Sequence, residues 1–215
     1  MKIVKHQAKH VEKWIIGIDE VGRGPLAGPI TMAAVAMPAG GKWLSVTGKL
    51  LKGIRDSKKL TPLARKKWDK IIQVNFPFAT ASVNVSSIDS RGISFAARLS
   101  IGRCLEKLSK VYSLKPSACH ILLDGGLYAP PQYKNQQTII KGDELHPIIS
   151  AASIIAKVHR DRYMTRLAKK FPQYGFDRHK GYGTKIHMEA ILKNGLSDVH
   201  RKTFCKNLHY IDKMV

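Results

Sequence analysis

Acidic residues are scarce in this chain, which carries 15 Asp and Glu against 37 Lys and Arg in 215 residues. The imbalance leaves a formal charge of +22 and points to a polyanionic partner. Nucleic acid is the usual one, and a ribosomal scaffold or an anionic membrane surface would show similar arithmetic. Cysteine is nearly absent: Cys104, Cys119 and Cys205 are odd in number, widely spaced and without metal-ligand spacing. That excludes a disulfide framework and gives no sign of thiol chemistry. No apolar run is long enough to span a bilayer, and no charged-then-apolar signal begins at Met1. A cytoplasmic protein with no membrane partner is therefore expected. Repeats, low-complexity runs and clear linkers are also missing, so one domain is expected over 1–215, with a helical C-terminal extension from about 165 to 215.

What the chain does have is concentrated between Trp14 and Pro29. Trp14 to Ile18 reads as a buried strand that ends in Asp19 and Glu20, just before a turn rich in Gly and Pro. Desolvating an ionised carboxylate is costly, so adjacent acids there require a cation, a hydrogen-bond nest or a raised pKa. Neighbouring strand residues face opposite ways, so Asp19 and Glu20 share a site only if the chain bends at Glu20. The alternative is an ion pair of one acid with Arg23 and solvation of the other. In Gly22-Arg23-Gly24 a cation sits between two residues without side chains, so backbone N–H groups and a guanidinium can approach a phosphate or sugar closely. A tight turn with an incidental Arg is the bland reading.

Further along, Ile30 to Met37 reads as a second buried strand, hairpin-paired with the first. Thr61-Pro62 opens a basic helix to about Asn75, with Lys66, Lys67 and Lys70 on a solvated face. Phe78 to Val85 alternates as a half-buried strand, and a helix with an apolar stripe spans about Gly92 to Tyr112. Ala118 to Asp124 is another apolar strand ending in an acid, followed by Gly125-Gly126. Asp-Gly is a common turn dipeptide, yet two such strands are what convergence on one metal site requires. Thr138 to Glu144 forms a short strand leading to Asp143, ahead of a helix from Pro147 to about Lys169 whose dipole Asp143 would also complement. Asp161, flanked by Arg160 and Arg162, reads as a salt-bridged helix residue. Gly, aromatic and basic residues interleave from Tyr174 to Thr184, which suits stacking and phosphate contact or simple loop anchoring. A short helix from about Lys185 to Lys193 follows. The lead-in from Met1 to Lys13, with His6 and His10, reads as a solvated arm. Strands alternating with long helices argue an α/β fold.

The stretch from Trp14 to Pro29 resembles the first block of the type 2 ribonucleases H, the bacterial ribonuclease HII family. Asp56-Ser57-Lys58-Lys59-Leu60 resembles a second block. Lys141-Gly142-Asp143, Ser150 to Val158 and Arg160 to Met164 together resemble a third, and the likeness runs from about Ile15 to Phe204. It implies a ribonuclease H-like mixed sheet flanked by helices, with a helical tail. The implied activity is endonucleolytic hydrolysis of the RNA strand of RNA–DNA hybrids and of ribonucleotides embedded in duplex DNA, by a monomer. The resemblance makes Asp19, Glu20, Asp124 and Asp143 the catalytic and metal-binding residues, for two Mg²⁺ or Mn²⁺ ions. It gives Gly22, Arg23, Gly24 and Tyr163 the reading of the ribonucleotide junction. Asp124-Gly125-Gly126 departs from the family in having Gly where Asn is common. Rivals from other classes are a non-catalytic basic RNA-binding or ribosome-associated protein, and a junction resolvase of the same broad fold.

Overall fold

The computed structural model describes residues 13–40, 46, 48–54 and 60–206. The lead-in with His6 and His10, all but Leu60 of the 56–60 block, and the chain beyond 206 lie outside the described residues.

Five strands form one sheet: β1 (Trp14–Val21), β2 (Ile30–Pro38), β3 (Phe78–Val83), β4 (Cys119–Asp124) and β5 (Gln136–Ile139), in the order β3-β2-β1-β4-β5. The Gly- and Pro-rich turn closes β1 and β2 into the expected antiparallel hairpin, and β4 adds in parallel on the other side of β1. β1 is thus central, which explains its unbroken apolar run. Its side chains alternate between two cores. Trp14, Ile16 and Ile18 face a cluster that includes Ala96, Ile101 and Leu105, whereas Ile15 and Val21 pack with one that includes Ile148, Ala152 and Ile155.

The helices that cover these faces follow their capping signals. Thr61 Oγ1 accepts a hydrogen bond from Ala64 N at 3.2 Å and Pro62 occupies the first turn, so α1 runs Pro62–Asn75 as the sequence predicts. The strand expected to reach Val85 stops at Val83, because Asn84 Oδ1 accepts from Ser87 N and starts a short helix α2 (Val85–Arg91). α3 (Ile93–Tyr112) buries the predicted stripe, including Ala96, Ile101, Cys104 and Leu108. The short strand expected from Thr138 to Glu144 lies instead at Gln136–Ile139: Ile140 is exposed, Lys141 is left-handed at φ 55°, and α4 (Gly142–Leu145) follows at once.

α5 (Pro147–Lys170) lies across β1 and β2, and its first turn comes unusually close to the sheet. A Cβ on Gly17 would stand 2.4 Å from the Ile148 carbonyl oxygen, so only glycine admits this approach. Beyond α5, α6 (Phe176–His179) and α7 (Lys185–Asn194) form the helical extension. Tyr174, Phe176 and Ile191 pack there against Met164 and Leu167 of α5 and against Ala27 of the hairpin turn. All three cysteines are buried free thiols, and burial pushes Cys104 up to about 12, in keeping with inert structural side chains.

Candidate active site

β1 keeps its pairing with β2 as far as Val21 but loses β4 after Ile18, so the end of β1 has an open edge. Asp124 is the last residue of β4. Asp19, Glu20 and Asp124 therefore meet in one cleft of about 430 Å³, lined also by Gly22, Arg23, Gly24, Arg65, Ser153, Lys157 and Tyr182. The bend expected at Glu20 does not occur, because the strand continues to Val21. Both acids reach the cleft because it lies at the strand's open end rather than on one face.

The acids are electrostatically strained. Asp19 is 4 % exposed and accepts a hydrogen bond from Glu20 N at 2.7 Å. Burial pushes its pKa up to about 8; a Ser153 hydrogen bond opposes this, while the charges of Glu20 and Asp124 add to it. Glu20 is raised too, by burial first and by Asp124, with Arg23 pulling the other way from 3.6 Å. Its Oε2 is buried and has no hydrogen-bond partner among the described residues. Asp124 Oδ1 accepts from Gly142 N at 2.7 Å. Crowded, desolvated carboxylates with an unmatched oxygen suit a hard cation, and oxygen donors without His or Cys fit Mg²⁺ or Mn²⁺. Among the described residues no three of the acidic, His or Cys side chains are grouped closely enough to hold an ion as they stand.

Asp143 sits differently. It is fully buried in the first turn of α4 and is not among the residues lining the cleft, although the neighbouring Gly142 holds Asp124. Tyr163 is not among the residues lining the cleft: its neighbours Arg160 and Met164 are fully buried, whereas Tyr163 stands 36 % exposed. The aromatic residue that lines the cleft is Tyr182. Its signal was the interleaving of Gly, aromatic and basic residues in 174–184, which left stacking and loop anchoring equally open. Asp161 is salt-bridged as expected, but to Lys157 at 2.8 Å and Arg65 at 3.9 Å rather than to its neighbours, since Arg162 pairs with the buried Asp69.

Arg65 and Lys157 also line a second cleft, of about 680 Å³, whose walls carry Lys66, Arg162, Arg166, Arg178 and Lys180. A basic shelf thus adjoins the acids. The Gly22–Pro29 loop between them is fixed by the C-terminal helical part: Leu26 N donates to Gly181 O, Gly28 N to Val199 O, and Arg201 N to Leu26 O. Beneath the loop lie the fully buried Arg160 and Arg201. Arg201 donates to the carbonyls of Gly22, Arg23 and Gly28 at 2.6, 2.8 and 3.0 Å. Arg160 donates to those of Pro29, Ala27 and Lys180 at 3.0, 3.1 and 2.9 Å. Neither arginine was singled out from the sequence, because its partners lie more than a hundred residues away along the chain, Lys180 excepted.

A mixed sheet with acids at the ends of adjacent strands, beside a basic shelf, defines a nuclease of the ribonuclease H fold. The sequence profile of the family described as Ribonuclease HII matches residues 16–212. A Ribonuclease HII from Caldicellulosiruptor bescii is 41 % identical over 197 residues, 91 % of this chain and 88 % of that one. The chain belongs to the ribonuclease HII family, a family of endoribonucleases, and the non-catalytic rival falls with that. The RNase HII solved in complex with PCNA from Archaeoglobus fulgidus superposes with a TM-score of 0.66 at 25 % identity, over 87 % of this chain and 93 % of that one. Bst-RNase HIII in complex with Mn²⁺ superposes at 0.71, over 98 % of this chain and 74 % of that one, and its 22 % identity makes this a likeness of fold.

Proposed function

We propose that this enzyme is a metal-dependent, monomeric endonuclease that hydrolyses the RNA strand of RNA–DNA hybrids. On this reading it also cuts on the 5′ side of ribonucleotides embedded in duplex DNA, leaving 5′-phosphate and 3′-hydroxyl ends. The observation that carries it is the meeting of Asp19, Glu20 and Asp124 with Gly22-Arg23-Gly24 in one cleft. Family membership supplies the class of reaction.

Asp19, Glu20 and Asp124, together with Asp143 from behind the cleft, would hold Mg²⁺ or Mn²⁺. Such ions supply an activated water and relieve charge on the departing 3′ oxygen. The side chains around them do the positioning. Lys157 and Arg65 lie where a strand entering from the basic shelf brings its phosphates past the acids. The N–H groups and the guanidinium of Gly22-Arg23-Gly24 approach the sugar and phosphate of the scissile nucleotide, whose 2′-hydroxyl both donates and accepts. Tyr182, rather than Tyr163, packs on the next sugar and favours deoxyribose there.

The test is cleavage of a duplex containing one ribonucleotide, with Mg²⁺, with Mn²⁺ and with EDTA. One cut on the 5′ side that EDTA abolishes is expected. Cleavage that survives EDTA sinks the metal role, and an intact single-ribonucleotide duplex beside a degraded hybrid sinks the junction reading.

A further inference from the structure

We propose that Arg160 and Arg201 are positioning residues that aim the backbone N–H groups of Arg23 and Gly24 into the cleft and so set the preference for a ribonucleotide. This deepens the junction reading above and rests on it.

In a trans peptide the carbonyl of one residue and the N–H of the next point in opposite directions, and no cis bond occurs among the described residues. Arg201 Nη2 takes the Gly22 carbonyl and Nη1 the Arg23 carbonyl. The N–H groups of Arg23 and Gly24 must therefore both point away from Arg201, side by side. No hydrogen bond among the described residues takes up either N–H. Both residues line the cleft that holds Asp19, Glu20 and Asp124. Two parallel N–H groups of this kind form a small nest for a hydroxyl or phosphate oxygen.

Arg160 fixes the other limb of the loop through Ala27 and Pro29. It also fills the space beneath Gly22, where an added Cβ would fall 2.2 Å from Arg160 Nε. With φ at +88°, Gly22 is where the chain turns its carbonyl down onto Arg201, and Arg160 blocks any side chain there.

Stability alone does not account for this arrangement. Two fully buried guanidinium groups lie near enough that the charge of Arg160, after burial itself, helps hold Arg201 down to about 10. No carboxylate within salt-bridge distance is paired with either among the described residues. Buried like charges are poor stabilisers compared with well-packed apolar side chains. Their planar forks, however, can take several carbonyls at fixed angles, which no apolar residue and no lysine can do. Six carbonyls are taken in this way, five of them in the loop.

The experiment uses the full chain carrying Asp124→Asn to prevent cleavage. Affinities are measured for a duplex with one ribonucleotide and for the same duplex in all-deoxy form, with Mg²⁺ present. Arg201→Lys, which keeps the charge but not the fork, should cut the ribo-to-deoxy affinity ratio about tenfold while all-deoxy binding stays within about twofold. Arg160→Lys, whose carbonyls flank the nest, should cut the ratio about threefold. A folded Arg201→Lys that keeps the parent's ratio overturns the proposal and leaves the junction reading standing. A parent without any ribonucleotide preference overturns the junction reading and the proposal with it. Should Arg201→Lys not fold, Arg160→Lys and ¹⁵N relaxation of the parent decide: order parameters of Arg23 and Gly24 near ~0.85 support an aimed nest, and values below ~0.6 overturn it.

Discussion

Two buried charged regions lie on either side of the Gly22–Pro29 loop, and they are built on opposite terms. Beneath it, Arg160 and Arg201 are fully buried and each guanidinium makes three hydrogen bonds. Above it, Asp19 is pushed up to about 8 and Glu20 keeps a buried oxygen without a partner among the described residues. Burial alone is therefore not the mark of a group that meets the ligand in this molecule; incomplete satisfaction is. The lower region is finished by the fold, and the upper one is finished only by what binds there.

The sharpest way to break that contrast is Asp19→Asn. Cleavage should fall by about a thousandfold or more, because in the proposed function the lost charge serves a cation and not the core. The same change should stabilise the metal-free protein at pH 8, by a few kcal/mol. The sign follows from linkage: the folded pKa lies above the unfolded one, so the carboxylate's cost appears as pH rises from about 4 to about 8 and is absent in the neutral amide. Added Mg²⁺ should raise the melting temperature of the wild type at pH 8 more than that of the variant. Near-normal turnover in Asp19→Asn, or a large drop in its melting temperature, would place Asp19 among the structural groups.

Arg201→Met should do the reverse. It leaves three buried carbonyls without donors, so stability should fall on the order of 3–5 kcal/mol by urea denaturation. An undiminished midpoint would mean that water replaces the guanidinium easily and that the lower region is not closed.

The contrast extends to pH. Just before Arg201 in the chain, His200 places its Nε2 3.1 Å from that of His187, while His187 Nδ1 faces the Tyr182 carbonyl and His200 Nδ1 accepts from Ser197 N. Two neutral rings satisfy this arrangement, and burial holds both pKa values down to about 4. Their contribution is therefore complete above the unfolded value of 6.5 and is lost as pH falls from there towards 4, the opposite slope to Asp19. After allowance for solvent screening the loss is about 2 kcal/mol in all. In Asp19→Asn the opposing slope is gone, so the decline in melting temperature below pH 6.5 should be steeper than in the wild type. Equal slopes would remove Asp19's opposing contribution from the account, and a melting temperature that does not fall below pH 6.5 in either protein would remove the histidine pair.

The smallest effect separates two tyrosines. Tyr182→Ala should lower cleavage of the single-ribonucleotide duplex about tenfold relative to a continuous hybrid, whereas Tyr163→Ala should leave that ratio unchanged. The reverse result would return the junction role to Tyr163.

The hairpin, the long helices and the first three acids were legible in the sequence because their signals are local. Apolar runs, a Thr-Pro cap and acids at strand ends need no knowledge of distant contacts. The turn from Ile140 into α4 was missed because Lys141 takes a left-handed conformation that its residue type does not announce. Tyr182, Arg160 and Arg201 were missed because their roles depend on partners far along the chain, as with Arg201 and Gly22, 179 residues apart.

Gly17 carries no chemistry, yet the width of the cleft is inherited from it. Because no methyl group stands between β1 and the first turn of α5, the helix rests on the sheet backbone, and Ser153, a turn and a half further on, comes within reach of Asp19. A thicker residue at this one position would lift α5 as a rigid lever and carry Ser153 and Lys157 outward together. The cleft's dimensions are thus an architectural tolerance between two layers, set by an atom that is absent.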